Sequence, residues 1–486
     1  MRTYLLPPLM FAVAFVAAAA QSSSDKIIEE SLKPSSLETN LQQLTDRVGG
    51  RVPGSPAFDQ AVAWAEAAFK AAGADSVHTE QFKIAQSWAE GATEFAITAP
   101  NRFRVRAVSV AWAPALKPTQ ARVIDVGEGT VKEFAAAGDI SGAILLVHTD
   151  VLKTWDDLFA EYLKAPPIID QAVKGRALAI AFMATRWHDI LYRHTNSSDG
   201  HIDKLPMLVV SREDGERVAR LIASGKKVNA EISIPNRIGG PITTSNVIAE
   251  LRGSKKPDEF VILGAHLDSW ELGTGALDNG CNAALVIDAL RAIKASGVKP
   301  RRSIRFVLFS GEEEGLLGSW VYARAHRAEL DKMAGAVIFD AGTGRVTGFS
   351  LGARADEEAA VKQLIAPLAQ WNATELTMDA PWGTDNVDFL LEGIPTLVAN
   401  QETANYLENY HAVSDTYDKV DFPQLKKHVA MAAEATFAIA DARERIAPRQ
   451  NRAEIEQLLK QSGLGDQLKI FGMWPAWENG ERGRAK

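Results

Sequence analysis

Acidic residues and histidines in the second half of the chain have the side-chain types of a metal site. Four of them come directly after apolar runs that predict buried strands: His266, Glu312, Glu313 and Asp340. Ligand-binding residues of open α/β sheets gather at the carboxyl ends of the strands. We therefore expect these four side chains to converge at one edge of a sheet.

Asp278 and His411 extend the set to five candidate metal ligands, together with His266, Glu313 and Asp340. Imidazole and carboxylate ligands suit zinc, and one carboxylate can bridge two ions. Two metals about 3.5–4 Å apart can polarise a carbonyl group and lower the pKa of a shared water molecule. The residue types therefore predict metal-assisted hydrolysis.

Hydrolysis of this kind also needs a carboxylate that moves the proton of the water. Glu312 is adjacent to a predicted ligand but is not needed to fill the ligand set, so we predict that it is the general base. Asp268 lies two residues beyond His266, and Asp415 lies four residues beyond His411. Each is predicted to accept the second N–H of its histidine and thereby fix the orientation of the ring.

Each candidate also has a purely structural interpretation. His266 could be a hydrogen-bonded core histidine and His411 a surface histidine. Asp278 could belong to a turn or cap the helix that follows. Ser310 and Glu313 could form a capping box at a helix start. Five such residues in one pattern favour the metal site over these separate alternatives.

The composition is that of a soluble globular protein. Of the 486 residues 46% are hydrophobic and 23% are charged, and the formal net charge is −8. A negative balance argues against a nucleic-acid surface. The length predicts two or three domains.

The N-terminus has the pattern of a signal peptide. Residues 1–20 combine Arg2, a short apolar stretch and a run of alanines, which predicts export to a periplasm or the outside medium. An uncleaved anchor is the alternative, although the stretch is shorter than the about 20 residues that span a membrane. With Cys281 as its one cysteine, the chain cannot form an internal disulfide.

The coarse pattern of strands and helices predicts an inserted domain within an α/β catalytic domain. After residue 241, apolar strands alternate with helices, which is typical of a mostly parallel mixed sheet with helices on both faces. Short β-like runs before that point indicate a smaller inserted domain, either α/β or β-rich. In it, His188, His194 and His201 are expected to be surface or loop residues. The predicted units are a signal peptide 1–20, an N-terminal part of the catalytic domain 21–94, an insert 95–240, a catalytic domain 241–448 and a C-terminal tail 449–486.

Five ordered motifs resemble the co-catalytic zinc aminopeptidase and carboxypeptidase family, most closely its carboxypeptidase Q branch. They are GAHLDSW at 264–270, GALDNG at 275–280, SGEEEGLLGS at 310–319, VIFD at 337–340 and YHAVSDT at 410–416. Residues 95–240 resemble the protease-associated insert of several members. The resemblance implies the zinc-peptidase fold, two Zn²⁺ per chain and a peptide substrate.

The resemblance also implies a place for each ligand. His266 and Asp340 would bind one metal, Glu313 and His411 the other, and Asp278 would bridge the two.

Further roles follow from the same motifs. Glu312 would be the base, and Asp268 would orient the first histidine. Tyr410 resembles the residue before the histidine in the glutamate carboxypeptidase II branch, and Asp385 lies in a segment that resembles a loop at the active-site rim. Tyr410, Asp385 and Asp415 are therefore candidates for residues around the metals or the substrate.

The expected function is that of an exported exopeptidase acting on dipeptides or short peptides. The motifs leave open whether it is an aminopeptidase, a carboxypeptidase or a dipeptidase. A single-zinc glutaminyl cyclase and a non-catalytic receptor-like protein are alternatives on the same fold, but the complete set of ligands argues against both. A homodimer is expected by analogy alone.

Overall fold

A computed structural model describes residues 21–380 and 382–485, so the expected signal peptide lies outside the described residues. The α-helices are α1 (Ser23–Leu32), α2 (Leu37–Gln42), α3 (Pro56–Ala72), α4 (Val131–Ala137), α5 (Trp155–Lys174), α6 (Arg212–Ala223), α7 (Cys281–Ala295), α8 (Leu317–Ala325), α9 (Glu358–Leu364), α10 (Asn386–Leu391), α11 (Tyr406–Asn409), α12 (Phe422–Asp441), α13 (Arg452–Ser462), α14 (Leu464–Ile470) and α15 (Trp474–Glu478). The strands are β1 (Ser76–Ile84), β2 (Trp88–Ala89), β3 (Glu94–Ala99), β4 (Phe103–Val105), β5 (Ala107–Ser109), β6 (Leu116–Asp125), β7 (Ile144–Val147), β8 (Ala179–Met183), β9 (Met207–Val210), β10 (Asn229–Ile234), β11 (Arg237–Ile238), β12 (Ile242–Leu251), β13 (Lys256–His266), β14 (Arg302–Phe309), β15 (Met333–Ile338), β16 (Val346–Ser350), β17 (Glu375–Thr377) and β18 (Thr396–Gln401).

The main sheet has the strand order β1-β12-β14-β13-β15-β18-β16-β17. Strand β13 runs parallel to β14 and β15, β15 runs parallel to β18, and β12 pairs with β14 antiparallel. Side chains alternate between the two faces: Val261 and Leu263 of β13 pack in the core with residues of α7 and α12. Phe260 and Ile262 pack in a second core with residues of α8 and α10. The expected α/β architecture, a mixed sheet covered on both faces, is therefore confirmed.

Local sequence sets the ends of α3, which packs on this sheet. Ser55 caps the helix by accepting a hydrogen bond from the Phe58 N–H, and Pro56 occupies the first turn, where no N–H is needed. Gly73 ends the helix in the left-handed conformation at φ 92°, which glycine adopts without strain. The preceding segment, residues 49–55, is the loop that its glycines and prolines predict.

Residues between Glu94 and Ile234 form a second sheet with the order β4-β3-β10-β6-β7-β8-β9-β5. Helix α5 packs on one face and α6 on the other, because Ile168 shares a core with Leu145 of β7 whereas Val218 shares one with Leu146. The segment is thus an α/β unit, which is one of the two alternatives that the sequence left open, rather than a mostly β one. Assigning it to the protease-associated type remains a proposal, as do the exact domain limits.

The C-terminal tail is helical and packs against the catalytic domain. Trp477 of α15 is buried in a core shared with Leu390 and Leu391 of α10. Arg482 forms an ion pair with Asp388 of the same helix at 2.7 Å, and both side chains are at most 2% exposed. These contacts give residues 474–477, a Trp-Pro-Ala-Trp stretch, a packing role that the sequence alone did not reveal.

Within the described ranges, no helix has both the length and the apolar character that crossing a membrane would require.

Candidate metal centre

The candidate ligands meet at the carboxyl edge of the main sheet. His266 is the last residue of β13, and Asp340 lies two residues beyond β15. Glu313 follows β14, where a loop links this strand to α8. Since β13 is parallel to both neighbours, the three chain segments leave the sheet on the same side, as the sequence predicts.

The Asp278 carboxylate lies between two histidines that are far apart in the sequence. Its Oδ1 is 3.2 Å from Nε2 of His266, and its Oδ2 is 3.2 Å from Nε2 of His411. The Asp278 side chain is 4% exposed. One buried carboxylate therefore presents each of its oxygens to a different imidazole.

Each histidine has a second carboxylate neighbour. Asp340 Oδ1 lies 3.1 Å from Nε2 of His266, and Glu313 Oε2 lies 2.9 Å from Nε2 of His411. The five side chains thus form two groups of three, which share Asp278. This is the grouping that the family resemblance implies.

The other ring nitrogen of each histidine is already engaged. Nδ1–H of His266 donates to the Asp268 carbonyl oxygen, and Nδ1–H of His411 donates to the Arg193 carbonyl oxygen, both at 3.0 Å. In a neutral ring, Nε2 then points a lone pair at the Asp278 carboxylate. That arrangement is unfavourable unless a cation or a proton lies between the two groups.

The donor set fits a divalent cation. Among the described residues, Asp278 Oδ2 and Glu313 Oε1 are buried and have no aligned hydrogen-bond donor, although His411 is close to both carboxylates. Buried polar atoms are normally satisfied, so unpaired carboxylate oxygens facing imidazole nitrogens indicate a missing positive charge. Mixed imidazole and carboxylate ligation is typical of zinc.

The electrostatics show the same need for positive charge. Burial lowers the pKa of His411, but the carboxylates of Glu313 and Asp278 outweigh this effect and hold that pKa at about 9. Burial raises the pKa of Glu313 to about 7, against the opposing effect of His411. Without a metal the cluster would therefore retain protons, and metal binding would release them.

Asp268 takes up only part of its predicted role. Its backbone carbonyl, rather than its carboxylate, receives the His266 N–H, since the carboxylate Oδ1 lies 3.8 Å away. Its Oδ2 accepts a hydrogen bond from the Glu313 N–H at 3.2 Å. Asp268 therefore connects the loops that carry two ligands.

The prediction that Asp415 orients His411 is wrong, because Arg193 provides the acceptor. Asp415 instead accepts hydrogen bonds from the backbone N–H groups of Ala276, Leu277 and Asp278, at 3.1, 2.7 and 3.1 Å. It shapes the loop that presents the shared carboxylate. Burial raises the pKa of Asp415 to about 7, which these N–H groups partly counteract.

Two arginines that the sequence analysis did not select support the ligand loops. Arg51 is fully buried and donates to the carbonyl oxygens of Leu267, Thr274 and Gly275. It thereby joins the loop after His266 to the loop before Asp278. The other is Arg193, whose buried guanidinium contacts two carboxylates and whose carbonyl holds His411. The sequence around Arg51 indicated a loop, but nothing local indicated either arginine's contacts.

The ligands open onto a cavity of about 660 Å³. Glu312 lines it together with His266, Asp278, Glu313, Asp340, Tyr410 and His411. Burial raises the pKa of Glu312 well above its usual range, and the Asp340 and Glu313 carboxylates add to this against the opposing effect of His266. A bound divalent cation would lower it again and favour the carboxylate that a base requires.

The remaining candidates differ in their placement. The Tyr410 ring stacks on the His411 ring, with centroids 3.6 Å apart. Asp385 is fully buried and does not line the cavity, whereas its neighbour Thr384 does. His194 lies in a loop segment, which is one of the two placements expected for it, but it is buried there.

The contacts of Ser310 and Cys281 decide between structural and functional interpretations. The Ser310 hydroxyl donates to the Ser245 carbonyl oxygen instead of forming a capping box with Glu313. The thiol of Cys281 is buried and contacts the Leu277 carbonyl oxygen at 3.4 Å, so it packs at the start of α7.

Residues 246–436, which include the candidate ligands, match the family model described as Peptidase family M28. The chain has an M28 peptidase domain. Carboxypeptidase Q of Rattus norvegicus is 28% identical over 412 residues, which are 83% of this chain and 85% of that protein.

Two solved structures have the fold of this chain. A peptidase M28 precursor from Shewanella amazonensis SB2B superposes with a TM-score of 0.78 at 25% identity, covering 88% of this chain and 98% of the other. A zinc aminopeptidase from Bacillus subtilis, BSAP, superposes with a TM-score of 0.65 at 18% identity, covering 86% and 97%. The expected relationship to metallopeptidases is confirmed, and with it the expectation of an enzyme.

Proposed function

We propose that this M28 peptidase is an exopeptidase with two zinc ions held by His266, Asp340, Asp278, Glu313 and His411. The observation that carries the proposal is the position of Asp278, whose two oxygens each lie 3.2 Å from a different histidine. A carboxylate so placed is suited to bridging two cations.

The proposed chemistry divides between the metals and the chain. When bound, the metals would polarise the scissile carbonyl and make a water molecule acidic. Glu312 takes the proton of that water and passes it to the leaving amine. Its position in the cavity wall, beside the ligand Glu313 but outside the two ligand groups, supports this role.

Two phenols beside the ligands are suited to hold the substrate. The hydroxyl oxygens of Tyr162 and Tyr410 are 2.9 Å apart, and both residues line the cavity. Burial raises both pKa values well above the usual range, so both phenols are neutral. One hydroxyl proton serves the contact between them, which leaves the other available to donate to an oxygen of the substrate.

The charges of the cavity favour substrates with a free amino terminus. Among the described residues that line it, none is lysine or arginine, whereas Asp156, Glu375 and Asp379 add carboxylates to those of the metal centre. A free carboxylate would find no side-chain cation there, but an α-ammonium group would find acceptors. We therefore propose dipeptides or short peptides attacked from the amino end, with carboxypeptidase activity as the alternative.

Export is proposed from the first 20 residues alone, whose composition is that of a signal peptide. N-terminal sequencing of the mature protein would test it, and a chain that still begins at Met1 would contradict cleavage.

The first prediction separates metal binding from proton transfer. Glu312→Gln should retain zinc but lose turnover by about 10²–10⁴-fold, because it removes the base and no ligand. Asp278→Ala should lose zinc as well as activity, since it removes the shared ligand. Zinc per chain, measured by mass spectrometry beside kcat, distinguishes the two variants. Undiminished turnover in Glu312→Gln would remove that residue from its role.

The substrate end can be tested with one dipeptide in free, N-acetylated and C-amidated forms. Cleavage of the free and amidated forms, with the acetylated form resistant, is expected for an enzyme that needs the amino terminus. Cleavage of the acetylated form would instead establish carboxypeptidase activity. If zinc is bound and no form is cleaved, the proposed function is wrong.

A further inference from the structure

One wall of the cavity is apolar and is built from three separate parts of the chain. The insert contributes Phe159 and Tyr162 of α5, the loop before α10 contributes Trp382, and the C-terminal tail contributes Phe471. The Trp382 and Phe471 rings stack with centroids 3.8 Å apart and an interplanar angle of 10°. We propose that this wall is the subsite for a bulky apolar side chain next to the scissile bond, and that the tail completes it. The inference rests on the proposed peptidase function.

A continuous series of aromatic contacts connects the wall to the metal centre. Trp382 meets the Tyr162 ring edge-on at 6.3 Å. The Tyr162 hydroxyl contacts that of Tyr410, whose ring stacks on the ligand His411. A peptide bond placed at the metals would therefore have this wall within reach of an adjoining side chain.

The wall is held in place by two polar contacts, one to the tail and one to the insert. The Trp382 indole N–H points at the sulfur of Met473 at 3.3 Å, and Met473 is buried in the core of the tail. The Ser198 hydroxyl, from the insert, donates to the Phe471 carbonyl oxygen at 2.6 Å. Because both the insert and the tail fix it, the stack is a preformed surface, as small-molecule sites usually are.

The chemistry of the wall selects against an acidic side chain. A carboxylate group would lose its hydration against the indole and phenyl faces, with no described side chain of Lys or Arg lining the cavity to pair with it. A leucine or phenylalanine side chain would instead replace water on an apolar surface. The substrate class is therefore short peptides that carry a large apolar residue beside the cleaved bond.

The test compares wild type, Phe471→Ala and Ile470→Ala, a matched control whose exposed side chain lies one residue away and outside the cavity lining. Values of kcat/KM are measured for Leu-Ala, Ala-Leu and Ala-Ala. Wild type should prefer one leucine dipeptide over Ala-Ala by about 10-fold or more, the effect expected when an apolar pocket gains several methylene groups. Phe471→Ala should lose most of that preference, whereas Ile470→Ala and Phe471→Leu should keep it.

A binding measurement separates this inference from the proposed function. Zinc-loaded Glu312→Gln, with and without Phe471→Ala, is titrated by calorimetry with Leu-Ala, Ala-Leu and Ala-Ala. Weaker binding of a leucine dipeptide by the double variant supports the subsite, even if wild type hydrolyses nothing. Absence of hydrolysis by itself would reject only the proposed peptidase function. The subsite proposal would be overturned if wild type and Phe471→Ala preferred leucine dipeptides over Ala-Ala equally. It would also be overturned if neither assay showed a preference for a leucine dipeptide.

Discussion

Single residues around the metal centre have positioning roles that differ from those their spacing suggested. Asp415 holds the backbone of the loop that ends in Asp278, and the carbonyl of Arg193 holds His411. In both cases the backbone, rather than a pair of side chains, fixes the ligand. The affinity of the site should therefore depend on residues that touch no metal.

Asp415→Asn should weaken zinc binding by about 10–100-fold, the usual effect of losing a contact that orients a ligand. The three backbone N–H groups now donate to the two carboxylate oxygens of Asp415. Asparagine offers only one acceptor oxygen, so at least one N–H would face its NH₂ group. Competition with a chelator measures the zinc affinity. Asp421→Asn is the matched control, because Asp421 caps α12 and asparagine caps a helix equally well. Equal affinities in the two variants would contradict the role of Asp415.

The sequence predicted the five ligand candidates and Glu312 because each follows a recognisable strand or lies in an ordered motif. It could not predict Arg51, Arg193 or Tyr162. Their contacts join segments more than 200 residues apart along the chain and leave no local pattern. Asp268 was selected by its spacing and by the family motif, and Asp415 by its spacing. Neither signal reveals whether a carboxylate or a carbonyl faces the ring.

At the scale of elements, the insert contributes backbone contacts to the candidate metal centre. Residues 191–193 of the insert pair antiparallel with residues 411–413, with a bridge between Tyr192 and Ala412. The Arg193 N–H donates to the His411 carbonyl oxygen at 2.9 Å, and the Val413 N–H donates to the Leu191 carbonyl oxygen. The Arg193 side chain anchors this pairing through its ion pairs with carboxylates on other segments.

Arg193→Met should therefore lower the zinc content toward one ion per chain, because His411 loses its fixed orientation while His266 keeps the Asp268 carbonyl. The zinc content and the melting temperature are measured together. Arg102→Met, which removes an exposed ion pair of the insert with Glu231, is the control and should change neither. If Arg193→Met binds both zinc ions with full affinity, Arg193 does not hold His411 in its orientation.

The sequence predicts strands over 261–263, 304–309 and 336–339 and helices over 213–225 and 282–295. The elements β13, β14, β15, α6 and α7 lie close to these ranges, since buried apolar runs and periodic helices are strong signals. Helix α5 was not predicted. It contains Pro166 and Pro167 in its interior, where proline normally ends a helix. Packing of Ile168 and Ile169 in the insert core stabilises it against this local preference.

At the scale of the whole molecule, the tail, the insert and the catalytic domain meet around one cavity. The ion pair of Arg482 with Asp388 anchors the tail on α10, and Arg482 also donates to the carbonyl oxygen of Gly315, in the loop that follows Glu313. The tail thus contacts the active-site loop from outside as well as contributing Phe471 to the cavity.

Arg482→Met should destabilise the protein by about 3–5 kcal/mol, because it leaves the Asp388 carboxylate buried without its partner. Chemical denaturation followed by tryptophan fluorescence measures the loss. Arg443→Met is the control, since Arg443 is 91% exposed beside Glu444 and should cost little. Similar stabilities of the two variants would show that the buried pair does not anchor the tail.

The stack of Trp382 on Phe471 also has a consequence for biosynthesis. The ligands of the metal centre are all translated by residue 411, whereas the cavity wall awaits residue 471. A chain emerging from the ribosome would therefore carry every metal ligand some 60 residues before it gains its full substrate selectivity. In this order of synthesis, discrimination between peptides is the last property that the growing chain acquires.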